Sequence, residues 1–370
     1  MIQTAQNADR LLIDRLLEQL RMTLCALPEV QEVRANHEVR AVGDRAVRYD
    51  ALVNLRVAGK PLVVLVEVKR SLYPRDVRQV LWQLQALDRQ ALIHKDTEQV
   101  PMLIAESISP GAKELLQGER VGYYDSGGSL FLPAKGAYLY VEKPPPKPLA
   151  KAIRSLYSGR RAQVLHALLH RPVAWVGVKG LAEYAHVSPA TASQVLTELD
   201  RLGWLETRGQ GPSKERHLLE PAALLDAWAN QVATERSPPL RRFYVPTVRG
   251  DALVDRIAQI LGHHRVEYAI TREAAAQRYA PFLSSVSRVR CRVLPGRAAD
   301  EAFAILGARP VNEGANFSVI DVRSSDELLF RQKVDEAWLA SPIQVYLDLV
   351  HGEGRAQQMA VHLRRERIGF

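Results

Sequence analysis

Hydrophobic and polar positions follow two periods along the N-terminal third of the chain. In LLIDRLLEQL apolar residues recur three and four apart with charges between them, which predicts an amphipathic helix over residues 7–26. Beyond it the period shortens to two. Strands are expected at 30–40, 50–57, 61–69 and 101–106, helices at 75–90 and 110–117, and two short strands after those. The stretch EKPPPKPLAK, residues 142–151, puts four prolines into five positions; this breaks helix and central strand alike and predicts a stiff, extended spacer. A second break is ERSPPLRRFYVP, residues 235–246. The expected organisation is a domain over 1–143, a proline-rich linker at 144–150, a domain over 151–235 and another over 240–370. The first and last alternate helices and strands, so the fold class is α/β multidomain.

The middle segment changes pattern. Helices are expected near 159–170, with Val164, Leu165 and Leu168 inward, and near 178–185, with Leu181 and Ala182 inward. His186-Val187 makes a turn. Ser188 is a good N-cap and Pro189 fits the first position of a third helix, which ends at Gly203. Its buried stripe is predicted to be Ala192, Val195, Leu196 and Leu199. Ala190, Thr191, Ser193, Gln194, Thr197 and Arg201 then form the outer stripe. WLETRGQGPSKERHLL follows as strand, Gly-rich tip and strand.

Composition narrows the partners. The chain of 370 residues carries a net charge of +9, which favours a polyanion, nucleic acid first. The segment 151–220 holds ten Lys/Arg against six Asp/Glu, a net +4. Cys25 and Cys291 are the only two cysteines, so a disulfide framework and a CxxC metal pattern are excluded and a reducing compartment is expected. The N-terminus reads as a helix with charges in it, not a signal peptide, and no apolar run reaches the ~18 residues of a membrane span. The expectation is a cytoplasmic protein without a membrane partner.

Candidate chemistry sits in PLVVLVEVKR, residues 61–70. Alternation puts Glu67 and Lys69 on one face with Val63 and Leu65, and puts Asp50, Leu52, Asn54 and Arg56 together on the preceding strand. With Gly59-Lys60 as the turn, opposed residue numbers sum to 119, so Asp50 faces Lys69 and Glu67 faces Leu52. Two carboxylates and the Val68 carbonyl make a hard oxygen site suited to Mg²⁺. Lys69 is placed to orient or deprotonate a water or to stabilise charge on a phosphate. Asp125, in GYYDSGGS, reads as a turn residue.

Asp50, then Glu67-x-Lys69 after a hairpin, then a helix carrying Gln79 and Gln83, resembles the PD-(D/E)XK nuclease superfamily. The resemblance spans about residues 1–120. It implies a catalytic set of Glu18, Asp50, Glu67, Lys69 and Gln83, with Mg²⁺ on Asp50 and Glu67. Two departures bear on activity: Tyr49, not Pro, precedes Asp50, and the Tyr that some branches carry four residues after Gln is missing.

The outer stripe of the third helix in the middle segment is small and polar, with donors near its N-terminus, which suits the major groove. Gln194 is placed to read bases. Thr191 and Ser193 are expected to touch phosphates, and Ser188, Thr197 and Arg201 are further DNA-binding candidates beside them. Arg208, Lys214 and Arg216 lie on the following hairpin, in reach of backbone or minor groove. The pattern LAEYAHVSPATASQVLTELDRLGWLE resembles the winged helix-turn-helix of bacterial transcriptional regulators. Used instead for protein contacts, the same module would be a partner-binding scaffold.

VEYAITREAAAQRYAPFLSSVSRVRCRV and SPIQVYLDLVHGEGRAQQMAVHLRRE resemble the C-terminal domain of AbiEi-type regulators, the antitoxins of bacterial type IV toxin–antitoxin systems. That resemblance covers about 240–370 and implies a fold related to nucleotidyltransferases. The nucleotidyltransferase signature is missing: Ser284-Ser285 lacks a preceding Gly, no Asp-x-Asp follows, and Asp321 stands alone. Arg288, Arg290 and Arg292 share a strand face, which is either a basic face for phosphates or solvated alternation. The expected function is a DNA-binding transcriptional regulator, an antitoxin-like autorepressor of a type IV toxin–antitoxin operon. Its expected partners are double-stranded DNA, a nucleotidyltransferase-like toxin and a second copy of the chain. The alternative is a Mg²⁺-dependent DNA endonuclease targeted by its winged helix.

Overall fold

A computed structural model describes residues 2–40, 48–87, 97–135, 137–246, 250–283, 285–350, 352 and 354–370. The protein is mixed α/β and divides into two compact units. One is Met1–Ile153 with Glu198–Gly203; the other is Arg154–Thr197 with Trp204–Phe370.

In the first unit α1 (Ile2–Cys25) leads into β1 (Val30–Arg40), β2 (Arg48–Val57) and β3 (Lys60–Leu72). Then come α2 (Pro74–Leu87), β4 (Glu98–Ile108), α3 (Pro110–Gly118), β5 (Gly122–Asp125), β6 (Leu130–Ala134) and β7 (Ala137–Val141). The strands form one sheet in chain order, with β4 parallel to both β3 and β5 and the other pairs antiparallel. Each parallel pair requires a crossover, which α2 and α3 supply. The i, i+4 stripe of α1 buries Leu16, Leu20 and Leu24 with Leu17 against Val53, Val64, Val66 and Ile104. On the opposite face Val77 and Val80 of α2 and Ala112 and Leu116 of α3 pack on Leu103, Ala105 and Tyr123. Covered on both faces, β3 reads as a continuous aliphatic run from Leu62 to Val66.

The β2–β3 register differs from expectation. Val57 pairs with Lys60 and Leu52 with Leu65, so opposed numbers sum to 117 rather than 119. The turn is Ala58-Gly59, both at positive φ (50° and 76°), a two-residue turn that matches strand twist better than Gly59-Lys60. Because the shift is by two, every side chain keeps its face; only the opposite partner changes.

The extended proline stretch ends at Pro146, and α4 (Lys147–Leu156) starts inside the expected linker. Pro148 falls in the first helical turn, where a missing N–H breaks no intrahelical bond.

In the second unit α5 (Gly159–His170), β8 (Val176–Gly177), α6 (Val178–Tyr184), α7 (Pro189–Arg201, whose last four residues count with the first unit), β9 (Leu205–Arg208), β10 (Glu215–Leu218) and α8 (Pro221–Thr234) follow in order. The strands make a small sheet, β8-β10-β9. The chain continues through β11 (Arg241–Tyr244), α9 (Gly250–His263), β12 (Tyr268–Thr271), α10 (Arg272–Tyr279), β13 (Val289–Val293), α11 (Arg297–Leu306) and β14 (Arg309–Pro310). It ends with β15 (Phe317–Asp321), β16 (Gln332–Val334), β17 (Ala337–Leu339), α12 (Pro342–Leu349) and α13 (Arg355–Leu363). These strands form a second seven-stranded sheet, β14-β11-β15-β13-β12-β17-β16.

His166 of α5 ties the two parts of this unit together. It lies 2.5 Å from the Ser341 hydroxyl and its ring meets Trp228 and Phe330. Burial holds its pKa down at about 3. Among the described residues no helix is long and apolar enough to cross a membrane.

Candidate nucleic-acid interface and hairpin site

The seam of α7 is as expected: Ala192, Val195, Leu196 and Leu199 have no solvent exposure. Ala190, Gln194, Thr197 and Arg201 are exposed, and Thr191 and Ser193 are partly so. Ser188 caps the helix, its hydroxyl accepting the Thr191 N–H at 3.2 Å and meeting the Thr191 hydroxyl at 2.9 Å. Ser188 and Thr191 are thus partly engaged with each other. Thr197 donates to the Ser193 carbonyl at 2.9 Å, and Gln194 accepts from Arg161 at 3.0 Å. The Gln194 amide N–H₂ has no acceptor among the described residues, and Arg161 joins the outer side from α5. No spacing rule predicts that neighbour. Arg201 pairs with Glu198 at 3.2 Å.

On the β9–β10 hairpin, Arg208 pairs with Glu215 at 2.7 Å and its guanidinium stacks over Trp175 at 4.2 Å. That fixes the cation in place and partly neutralises it. Lys214 is half-buried at the end of the tip. Arg216 departs from the expected role. It is only 9 % exposed, because alternation along β10 puts it on the buried side with Leu218.

In the first unit Asp50, Glu67 and Lys69 converge at the open end of the β2–β3 hairpin. One residue beyond the last pair, Ala51 with Val66, Asp50 stands opposite Glu67, not Lys69. The Asp50 carboxylate accepts the Val68 N–H at 2.7 Å, and Glu67 pairs with Lys69 at 2.7 Å. Glu18 is elsewhere: α1 covers the other face of the sheet, and Glu18 is exposed and bidentate to Arg21 at 2.6 and 2.8 Å. That guanidinium holds its carboxyl below the ordinary range. Gln83 belongs to α2, but its side chain lies outside the described residues; Gln79, one turn earlier, is exposed. Two carboxylates and the Val68 carbonyl are hard oxygen donors of the kind Mg²⁺ takes, with its remaining positions left to water and phosphate. No third acidic or imidazole group joins them among the described residues.

Asp125 proves to be more than a turn residue. Its carbonyl accepts the Gly128 N–H at 2.8 Å, while its carboxylate, without solvent exposure, lies 2.9 Å from the Lys113 ammonium. Lys113 also donates to Ser129 at 2.7 Å and Glu142 at 3.1 Å. The register aligns Lys69 with Ala105 and Ala105 with Asp125. Asp125 therefore stands on the Glu67–Lys69 face two strands away, about 10 Å at the usual strand spacing. Lys113 neutralises it there. A lysine between Ala112 and Leu116 on the apolar stripe of α3 was the available sign of a buried acidic partner.

No known family, curated protein or solved structure matches the chain.

Proposed function

We propose that the protein is a sequence-specific DNA-binding transcriptional regulator whose residues 151–235 act as a winged helix-turn-helix. The observation that carries this is α7: an apolar seam with no exposure backs a side whose exposed groups, Gln194 and Thr197, are uncharged and polar. Such a side reads base edges through amide and hydroxyl groups while flanking cations meet phosphates. Gln194 discriminates bases; Arg161, Arg201, Arg208 and Lys214 supply the electrostatic part, and Ser188, Thr191 and Ser193 position the first turn. Arg216 acts from within the hairpin and not as a phosphate contact. The C-terminal resemblance makes this regulator antitoxin-like, an autorepressor whose cognate partner is a nucleotidyltransferase-like toxin, and a second copy would read a second half-site.

The test is a gel shift on DNA upstream of its own gene at several salt concentrations. Affinity should fall steeply with salt. Gln194→Ala should cost about 1–3 kcal/mol on the cognate site and little on unrelated DNA. Salt-independent binding, or none, refutes the reading.

The hairpin end supports a second reading, a PD-(D/E)XK-like nuclease domain that cleaves the bound DNA. Asp50 and Glu67 would hold Mg²⁺, which supplies a Lewis acid at a phosphodiester. Lys69 would leave Glu67 to orient the attacking water. Plasmid cleavage in Mg²⁺ or Mn²⁺ that disappears in Glu67→Ala and Lys69→Ala would establish this activity.

A further inference from the structure

Buried charges in the second unit follow one rule with a local exception. Arg292 of β13 reaches Asp348 of α12 with two bonds, 3.0 and 2.5 Å, and Thr271 and Gln344 complete that carboxylate at 2.5 and 2.9 Å. One and two residues away the pairing stops. Arg272, the first residue of α10, is only 8 % exposed, yet no ion pair or hydrogen bond reaches its side chain among the described residues. Arg290 stands beside Thr271 in the β12–β13 register and is half-buried; Arg288, two residues earlier and just ahead of β13, is exposed. Neither has a partner among the described residues. Burial, and then the charge of Arg272, holds the Arg290 guanidinium below its ordinary pKa, with Arg288 adding to the effect. Glu273 and, more weakly, Asp348 act the other way; Asp348 is already committed to Arg292, and among the described residues neither forms an ion pair with Arg272, Arg288 or Arg290. Arg216, the other buried arginine, also has no partner among the described residues, but it lies on the β9–β10 hairpin, away from this cluster.

Three guanidiniums gathered with one largely buried is costly unless an anion completes the set. Two further features point the same way. The N-cap of α10, Thr271, makes no capping bond because its hydroxyl serves Asp348, so the first-turn amides have no side-chain cap among the described residues. Arg272 holds a left-handed backbone at φ 57°, a strained conformation for a residue with a side chain. The cluster is also not sealed: among the described residues the side-chain atoms shut off from solvent without a hydrogen bond belong to Gln19, Gln163 and Asp125, whose oxygen faces the Lys113 ammonium, and none belongs to an arginine.

We propose that Arg272, Arg290 and Arg288, with the N-terminal amides of α10, bind a doubly charged phosphate group, the terminal phosphomonoester of a small ligand or of a nucleic-acid end. A protruding dianion reaches a largely buried guanidinium; the singly charged diesters along a duplex backbone do not. This site shares no residue with the α7 surface, so the proposal stands whether or not the protein is a regulator.

The experiment is calorimetric titration of the full chain with inorganic phosphate at constant ionic strength, using chloride as control. Parallel arms use a nucleoside 5′-monophosphate and a short oligonucleotide with and without a 5′-phosphate. Saturable phosphate binding absent with chloride is expected, and Arg290→Gln and Arg288→Gln should each weaken it about ten-fold. The tightest arm identifies the source of the phosphate. Arg272→Gln risks misfolding, so thermal melts of the Arg290 and Arg288 variants accompany it. In phosphate-free buffer these two should melt no lower than the parent, because each removes like-charge repulsion. Phosphate binding no stronger than chloride, or retained undiminished in both variants, overturns the proposal, and so does a lower melting point of both in phosphate-free buffer.

Discussion

The outer side of α7 and the open end of the β2–β3 hairpin display polar groups in opposite ways. On α7 the exposed side chains bond to their own helix or to one neighbour and keep donors in hand, as Gln194 does with Arg161 at 3.0 Å. At the hairpin the groups consume one another: Asp50 takes the Val68 N–H and Glu67 takes Lys69, each at 2.7 Å. A surface with spare donors is ready for a polar partner. One whose charges are paired must first exchange them, which a metal or phosphate can drive and a neutral ligand cannot.

The largest break in this contrast comes from below the α7 surface. Leu196→Ala removes a fully buried side chain from the seam and should destabilise the second unit by about 2–5 kcal/mol in chemical denaturation, with DNA binding lost alongside. Loss of DNA binding with unchanged stability would mean the seam does not support the surface.

A second lever is pH. Folded His166 titrates near 3 instead of 6.5, so on acidification the unfolded chain takes up a proton that the folded chain refuses. Stability is complete above pH 6.5 and falls as pH drops toward 3, by about 2 kcal/mol at pH 5. His166→Phe should flatten that part of the profile, followed through Trp228 fluorescence; an unchanged slope would place the effect elsewhere.

The hairpin yields the next effects. Asp50→Ala strands the Val68 N–H and should cost about 1–3 kcal/mol, whereas Glu67→Ala removes a half-exposed ion pair and should cost about 0–1 kcal/mol. Equal losses would mean Asp50 is not the structural member of the pair. The smallest effect concerns register: Ala58→Asn at φ 50° should stabilise the first unit by roughly 0.5–1 kcal/mol, since Asn tolerates the left-handed region. Destabilisation would argue against the Ala58-Gly59 turn.

Much of the α7 surface was legible in the residues. Spacing of 3.6 decides which side is buried, and Ala192, Val195, Leu196 and Leu199 carry that signal without competition. The hairpin was half legible. Alternation assigned the faces, but the turn was displaced by one residue, because Ala58 takes a positive φ that no composition rule assigns to alanine. The partners in pairings across distance were not legible. Lys113 on an apolar stripe signalled some buried acid but not Asp125, and Arg161 with Gln194 and His166 with Ser341 join positions whose sequence separation carries no periodic signal. Arg216 showed the limit in the other direction: a cation on a hairpin looked exposed, and one-residue alternation buried it.

By itself the sequence determined the periods, hence the mixed α/β elements, their order and the buried side of each. Those follow from local geometry and the removal of apolar surface from water, which act between near neighbours. Only the tertiary structure decided which charges are answered. Arg292 finds Asp348 and Arg272 finds no partner among the described residues, because ion pairing depends on distances of a few ångströms set by how the strands of the second large sheet and the helices packed on them come together.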